Sequence, residues 1–274
     1  MKIIRTIDEL KIAIEKIEDD IGFVPTMGAL HSGHLSLMHR AREENSTLIV
    51  SIFVNPTQFL DGEDLDSYPK REEADERLCK LASVDILFMP TVDQMYSEDE
   101  LSIGAPYIRG YILEGTKRAG HFDGMLQIVM KLLNLTQANR AYFGKKDAQQ
   151  LTLITQMVRD YFLKCEIVAC EIVRDDRGLA LSSRNAYLSD DEKSRAYQIS
   201  RSLKKATRMV SADILNSQYI IKVMREVMSD IDKIEYIAIV DRDFHTLDEL
   251  EIGNSMILVA ARVGDTRLID NIWI

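Results

Sequence analysis

Two apolar runs with one helical segment between them constrain this chain more than any other feature of its sequence. The runs are IGFVP (21–25) and TLIVSIFV (47–54), and apolar residues recur at helical spacing from about Leu35 to Glu44. A strand, a helix and a second strand within a few tens of residues form a βαβ unit. Strands that are apolar almost throughout are typical of a parallel sheet covered on both faces. The sequence therefore predicts an α/β fold.

The alternation of strands and helices continues to about residue 173. Further strands are predicted at 85–89, 140–143 and 166–173, and helices near 70–82, 123–138 and 147–162; a capping box, Thr6 with Glu9, predicts an earlier helix. Two long helical segments (about 190–210 and 211–230) then precede strands at 234–241, 255–264 and 266–274. We predict a Rossmann-like domain with a parallel sheet over residues 1–174 and a smaller α+β domain over residues 175–274.

Charge and cysteine content narrow the class of protein. The chain has 34 Lys and Arg against 44 Asp and Glu, which gives a formal net charge of −10 and argues against binding to nucleic acid or to an anionic membrane. No run of 18 apolar residues is present, so no membrane span is expected. The 3 cysteines have no two-residue spacing and fit reduced thiols in a cytoplasmic protein.

A histidine pair lies where the first of the two strands gives way to a helix. In PTMGALHSGHLSLMHRA (25–41), His31 and His34 have Gly33 between them. Free backbone N–H groups at such a helix start favour phosphate, and two imidazoles can donate hydrogen bonds to the oxygens of a breaking phosphoanhydride. Two alternatives are a pair of surface histidines or two metal ligands. Zinc needs more ligands, and His39 falls on another helix face.

Amides and a cation follow in two further segments. Asn55 and Gln58 end the second strand in SIFVNPTQF, and in an open parallel sheet this end lies on the same rim as the histidine pair. An Asx turn before proline is the alternative for Asn55. Arg118 and His121 lie on a glycine-punctuated loop, EGTKRAGHFDGM, that suits recognition of phosphate or carboxylate. The alternative is that these residues are charged side chains of an exposed loop with no binding role.

The segment YFGKKDAQQL (142–151) repeats the order of strand, glycine, charged turn and helix. Gly144, Lys145, Lys146 and Asp147 are candidates for contacts with phosphates and ribose, and Gln150 projects from the first helical turn towards the same rim. A plain helix N-cap is the alternative role for Asp147.

Two loops complete the sequence motifs. RDDRGLALSSRNAYL (174–188) carries Ser182, Ser183 and Arg184, donors that suit a loop closing over a triphosphate, and a simple linker is the alternative. The acidic loop DGEDLDSYP (61–69) lacks the spacing of a calcium-binding loop and is predicted to be a solvated turn, with Tyr68 as a residue that lines the site.

Together these five segments, in this order, resemble the pantoate–β-alanine ligase family of nucleotidyltransferases with paired-histidine signatures. The ending ARVGDTRLIDNIWI is similar to the family's C-terminus. The resemblance implies that D-pantoate, β-alanine and ATP are the substrates and that the chain is a homodimer. It implies a pantoyl adenylate intermediate and Mg²⁺ held mainly by the triphosphate.

The resemblance also assigns residues. The implied ATP-binding residues are Met27, Gly28, Ala29, Leu30, His31, Ser32, Gly33, His34, Gly144, Lys145, Lys146, Asp147, Val173, Leu181, Ser182, Ser183 and Arg184. Those with an implied catalytic role are His34 as proton donor, His31, Lys146, Ser182, Ser183 and Arg184. The implied residues for pantoate and β-alanine are Gln58, Gln150, Asn55, Arg118 and His121, to which Tyr68 is added.

The sequence departs from the family pattern at several positions. Ala119 stands where proline is common, Leu181 where methionine is common and Lys145 where glutamate is frequent. Glu73, Ala74 and Asp75 match the family's acidic positions poorly, so no protein ligand for a metal is expected. Two other functions remain open: a different nucleotidyltransferase on this fold, and a nucleotide sensor without turnover.

Overall fold

Six strands, most of them apolar along their length, form one parallel sheet in the computed structural model, which describes residues 1–274. They are β1 (Lys2–Ile4), β2 (Ile21–Thr26), β3 (Thr47–Ile52), β4 (Ile86–Phe88), β5 (Arg140–Gly144) and β6 (Glu166–Cys170). Their order across the sheet is β1-β4-β3-β2-β5-β6, and every neighbouring pair is parallel. The carboxyl ends of all six strands therefore lie at one edge of the sheet.

Helices connect these strands. They are α1 (Ile7–Ile14), α2 (Ser32–Glu44), α3 (Glu72–Leu81), α4 (Val92–Met95), α5 (Glu114–Lys117), α6 (His121–Thr136) and α7 (Ala148–Asp160). Met38 and Ala41 of α2 and Cys79 of α3 belong to one buried apolar cluster with Val50 and Leu87 of the sheet. Burial of this kind is the main source of free energy that stabilises the sheet.

The strand order contains a topological switch between β2 and β5. From β2 the chain goes to β3 and β4 on one side, and it later returns to place β5 and β6 on the other side. In open parallel sheets, ligands bind outside the carboxyl ends of strands at such a switch. The turns after Thr26 and Gly144 are the two that leave the sheet there.

A second compact unit contains two helices and a three-stranded antiparallel sheet. The helices are α8 (Asp190–Ser211) and α9 (Ser217–Val227), and the strands β7 (Lys233–Asp241), β8 (Ser255–Val263) and β9 (Thr266–Trp273) pair in sequence order. Ile199, Leu203 and Ile220 of the helices and Ile257 and Val259 of β8 share one buried core. This core accounts for the apolar spacing of the two helical segments in the sequence.

The predicted fold class is confirmed, and several elements differ from the predictions. The short strand β1 was not predicted, because a run of three residues before a capping box carries too weak a pattern. The helix predicted at 211–230 begins only at Ser217, since Asp213 has a positive φ of 59° and Asn216 caps a new helix. Strand β6 ends at Cys170, three residues before the predicted end at 173.

The compact units comprise residues 1–145 with 149–171, and residues 146–148 with 172–274. A domain division after residue 174 stays a prediction. No helix of the structure combines the length and the apolar character needed to cross a membrane.

A glycine lets helix α6 approach the turn that follows β3. The turn is a short 3-10 helix, Pro56–Gln58. A Cβ added at Gly124 would lie 2.2 Å from the carbonyl oxygen of Thr57, which is too close for any side chain to be accommodated there without movement of the backbone. The carbonyl oxygen of Gly124 accepts a hydrogen bond of 3.0 Å from the Asn55 amide, so this close contact also fixes Asn55. The geometry of the turn therefore depends on a missing side chain.

We expect Gly124→Ala to destabilise the protein. Alanine inside an exposed helix usually stabilises by about 1 kcal/mol over glycine. Here we expect the opposite sign, a loss of about 1–3 kcal/mol, because the new methyl group overlaps the Thr57 carbonyl. Urea unfolding measures the change. The control is Gly104→Ala, where a Cβ meets no atom within 4 Å; equal stability of the two variants would contradict the close contact.

Candidate active site

A buried carboxylate fixes the turn that leaves β2. Gly28 and Ala29 both have positive φ, 85° and 49°, in this turn. Asp75 of α3 accepts the N–H groups of Ala29 and Leu30 at 2.9 and 2.8 Å and is only 2% exposed. Burial raises the pKa of Asp75 above its ordinary value, although the two N–H bonds favour the charged form. Asp75 therefore already occupies the N–H groups of Ala29 and Leu30.

The histidine pair caps helix α2. His31 is the N-cap, and its Nδ1 accepts the N–H of Gly33 at 3.1 Å, while Nδ1 of His34 accepts the N–H of His31 at 3.3 Å. The ring centroids are 4.1 Å apart. Because each Nδ1 accepts a hydrogen bond, each neutral ring carries its proton on Nε2. In its neutral form each ring is thus an Nε2–H donor.

The two amides after β3 are buried, and both are hydrogen-bonded within the protein, Asn55 more fully than Gln58. Asn55 is 1% exposed; its Nδ2 donates to the carbonyl of Gly124 and to Oε1 of Gln58, and its Oδ1 accepts the hydroxyls of Tyr96 and Thr57. Asn55 therefore acts as a local brace. Gln58 is 9% exposed, and its Nε2 lies 2.9 Å from Sδ of Met27, which joins this turn to the turn after β2.

Arg118 forms an ion pair with an acidic residue of the 61–69 loop. Its Nε and one terminal nitrogen donate to the two carboxylate oxygens of Glu63, each at 2.6 Å, and the two side chains are 15% and 24% exposed. Burial favours a higher pKa of Glu63, but the bonds from Arg118 hold that pKa below its ordinary value. The prediction that this whole loop is a solvated turn is therefore wrong at Glu63.

His121 completes this group of side chains. It is 7% exposed, its Nε2 lies 2.9 Å from a guanidinium nitrogen of Arg118, and its Nδ1 lies 2.7 Å from the carbonyl oxygen of Gln58. Burial, and then the charge of Arg118, lowers the pKa of His121 from 6.5 to about 4. Tyr68, predicted to line the site, is 6% exposed with its ring 5.8 Å from that of Phe59.

The turn after β5 carries the next candidates. Lys145 forms an ion pair with Glu171. Gln150 lies half-buried in the first turn of α7. Its neighbour Gln149 is buried, donates to the carbonyls of Arg109 and Ile112 at 2.6 and 2.9 Å, and thereby braces the segment before Arg118. The motif thus contains one bracing amide and one candidate binding amide.

The second unit holds the remaining candidates. The Lys146 side chain is 3.7 Å from the carboxylate of Asp147, and the carbonyl oxygen of Lys146 accepts the Asn271 amide at 2.8 Å. Leu181 donates its N–H to the Val173 carbonyl at 2.9 Å, so these two predicted residues are adjacent. Ser182, Ser183 and Arg184 are half-buried around a 3-10 turn, Ser183–Tyr187, that Ser182 caps.

The roles of three structural residues of the site escaped the sequence analysis. Asp75, Glu63 and Gln149 each bind groups distant in sequence, 35 to 55 residues away. Each of them has other acidic or amide residues beside it in the sequence, and the sequence alone does not distinguish it from those neighbours. No group of three or more His, Cys, Asp or Glu residues is placed to hold a metal ion.

The chain is similar to known proteins over nearly its whole length. The model of the family described as pantoate-beta-alanine ligase matches residues 2–273. The chain is 56% identical to a pantothenate synthetase of Sulfurimonas denitrificans and 44% identical to one of Helicobacter pylori, with all of both chains covered in each case. A crystal structure of pantothenate synthetase from Thermus thermophilus is 38% identical, covers 99% of each chain and has a TM-score of 0.95.

A second solved structure includes bound ligands. It is the pantoate-beta-alanine ligase of Francisella tularensis complexed with beta-gamma ATP and beta-alanine, 37% identical with a TM-score of 0.84, covering 99% of this chain and 97% of that chain.

The low pKa of His121 gives a testable pH dependence. Between about pH 4 and pH 6.5 the unfolded chain binds this proton and the folded protein does not, so the free energy of unfolding falls as the pH is lowered through this range. A shift of this size corresponds to at most about 3 kcal/mol. Urea unfolding at several pH values gives the free energy of unfolding as a function of pH. The slope of this free energy against pH should be smaller in His121→Asn than in the unaltered protein, and unchanged in the exposed control His39→Asn. An unchanged slope in His121→Asn would contradict the burial of a neutral ring.

Proposed function

This chain belongs to the pantoate–β-alanine ligase family, and from that membership we propose how its residues carry out the family's reaction. The chain condenses D-pantoate with β-alanine and consumes ATP, forming pantothenate, AMP and pyrophosphate. In the first step the pantoate carboxylate attacks the α-phosphorus of ATP and releases pyrophosphate. In the second step the amine of β-alanine attacks the acyl carbon of pantoyl adenylate, and AMP leaves.

The observation that carries this assignment to particular residues is the arrangement of the histidine pair. Both rings use Nδ1 for the backbone at the start of α2, which leaves the proton of each neutral ring on Nε2. In our proposal these two Nε2–H groups donate to phosphate oxygens as negative charge moves onto pyrophosphate, with His34 as the main donor and His31 beside it. One such donor contributes roughly 3–4 kcal/mol to transition-state stabilisation.

The remaining candidates take the roles that their chemistry suits. Lys146, Ser182, Ser183 and Arg184 donate to the phosphates, and Gly144, Lys145 and Asp147 contact ATP. Val173 and Leu181 pack against the adenine, and this role is supported by their direct backbone hydrogen bond. Met27, Gly28, Ala29, Leu30, Ser32 and Gly33 line the ATP site, where Ala29 and Leu30 contribute groups other than their N–H, since Asp75 accepts both.

Pantoate and β-alanine are assigned to the amide side of the site. Gln58, which is buried, and Gln150, which is half-buried, bind the hydroxyls and carboxylate of pantoate, because neutral amides offer both donors and acceptors without adding charge. Asn55, Arg118, His121 and Tyr68 support this pocket. The hydrogen bonds of Asn55 to its own chain favour a supporting role over direct contact.

Mg²⁺ enters with the nucleotide in this proposal. Asp75 and Glu63, two acidic residues in contact with candidate residues, already accept two donors each, so neither is a ready ligand for the ion. Mg²⁺ keeps several waters and binds phosphate oxygens in many nucleotide sites. The triphosphate therefore holds the ion.

We also propose a homodimer in the cytoplasm. The dimer rests on the family resemblance. The location is supported by three cysteines that remain free thiols.

The overall reaction is tested by omission. With D-pantoate, β-alanine, ATP and magnesium present, we expect AMP and pyrophosphate in equal amounts, and no AMP when any one component is left out. ATP–pyrophosphate exchange should require pantoate and proceed without β-alanine, because adenylation precedes amine attack. Exchange that needs no pantoate, or that responds to another acid, would identify a different nucleotidyltransferase.

The role of the histidine pair is tested by His34→Ala. We expect AMP formation to fall by about two to three orders of magnitude while ATP affinity changes less than about tenfold, because the ring acts mainly in the transition state. His34→Asn is the matched variant: its side chain can still accept the N–H of His31 at the helix cap. If both variants lose activity equally while only His34→Asn keeps the stability of the unaltered protein, the loss of activity comes from the missing imidazole and not from the lost helix cap. Normal turnover with normal ATP binding in His34→Ala would refute the assignment.

A further inference from the structure

A closed chain of hydrogen bonds links an acidic loop residue to a pantoate-binding candidate. It runs from the Glu63 carboxylate through Arg118 and His121 to the carbonyl oxygen of Gln58. We propose that Glu63 is a positioning residue for substrate recognition, which holds Gln58 in place through Arg118 and His121. The proposal deepens the function proposed above and rests on the assignment of Gln58 to pantoate.

The first step of the argument concerns the charge of Arg118. Glu63 neutralises this charge through two parallel bonds, the strongest arrangement for a guanidinium and a carboxylate. The other terminal nitrogen faces His121 at 2.9 Å, and a fourth contact of 3.3 Å reaches the carbonyl of Gln58. A guanidinium has five N–H groups, so four of them are committed to the protein. Arg118 is thus poorly suited to grip a substrate carboxylate.

The second step concerns the tautomer of His121. Arginine only donates, so Nε2 of His121 must be the acceptor in its contact with Arg118. The ring is therefore neutral, and its one proton lies on Nδ1, from which it is donated to the Gln58 carbonyl at 2.7 Å. The direction of every bond in the chain follows from the fixed charge of Arg118.

The third step concerns Gln58 itself. Its backbone carbonyl receives His121 and Arg118, its Oε1 receives the Asn55 amide at 3.2 Å, and its Nε2 faces Sδ of Met27. Main chain and side chain are both held, with 9% of the residue exposed. A side chain fixed in this way loses little conformational entropy when a substrate binds. Loss of the Glu63 charge would release Arg118 and, through it, the carbonyl of Gln58.

The test is a double-mutant cycle with Glu63→Gln and Arg118→Met, measured in the pantoate-dependent reaction. We expect each single variant to raise the KM for pantoate about tenfold or more, while the KM for ATP stays within about twofold. The size of the effect is taken by analogy from residues that hold metal ligands in place, whose loss costs about tenfold or more in affinity or activity. The double variant should be no worse than the poorer single variant, because both changes break the same chain of bonds. Asp66→Asn removes one charge from an exposed position of the same loop and should leave both KM values unchanged.

Two kinetic outcomes would overturn the proposal. If Arg118 binds the pantoate carboxylate directly, Glu63→Gln should leave the KM for pantoate unchanged or lower it, while Arg118→Met alone raises it. If the two changes only weaken the fold, the KM values for pantoate and ATP should rise together and the double variant should be worse than either single one.

A second measurement does not depend on the substrate. In protein labelled with ¹⁵N-histidine, the His121 signals, identified by their loss in His121→Asn among the five histidines, should show the neutral form with the proton on Nδ1. Glu63→Gln should convert this into a mixture of tautomers, and Asp66→Asn should not. A proton on Nε2 in the unaltered protein would refute the chain of bonds. Failure of pantoate to support turnover in the unaltered protein would instead refute the proposed function and leave this result standing.

Discussion

The parallel direction of all six strands in the first sheet is the constraint on which the candidate site depends. Parallel pairing places every carboxyl end at one edge, and the strand order changes there between β2 and β5, the position at which ligands bind in open parallel sheets. The histidine pair follows β2, and the lysine-containing turn follows β5. Segments more than 100 residues apart in sequence therefore leave the sheet from neighbouring strands. The pairing of β2 with β5 is enough to bring these two strand ends together.

A second constraint is the cost of burying polar groups beside that edge. Backbone N–H groups in a buried turn need acceptors, and Asp75 supplies one carboxylate for two of them. Arg118 needs a counter-charge, and Glu63 supplies it. In both cases a carboxylate of the protein accepts hydrogen bonds from donors that would otherwise be available to a bound anion. On the side of the site proposed for pantoate, the candidate groups are accordingly neutral amides, which discriminate by hydrogen-bond geometry more than by charge.

Much of the fold was predictable from the sequence, and less of the site. The apolar runs around β2 and β3 identify the βαβ unit because fully buried parallel strands leave a continuous pattern. The histidine and amide segments were found because each directly follows such a run. The roles of Glu63 and Asp75 were not found, since their importance comes from partners dozens of residues away and their neighbours in sequence are also acidic. Interruption of the predicted 211–230 helix depends on a left-handed residue, Asp213, whose conformation the apolar spacing does not encode.

In the proposed reaction, the histidine pair serves both folding and chemistry. An imidazole that caps a helix through Nδ1 cannot also protonate that nitrogen without losing the cap. Capping therefore selects the neutral tautomer with Nε2–H, the form that can donate to a phosphate oxygen while adding no full positive charge. The helix start then contributes its own partial positive charge at the same place. The residue types that begin the helix are therefore also those that suit the proposed transfer of a nucleotidyl group.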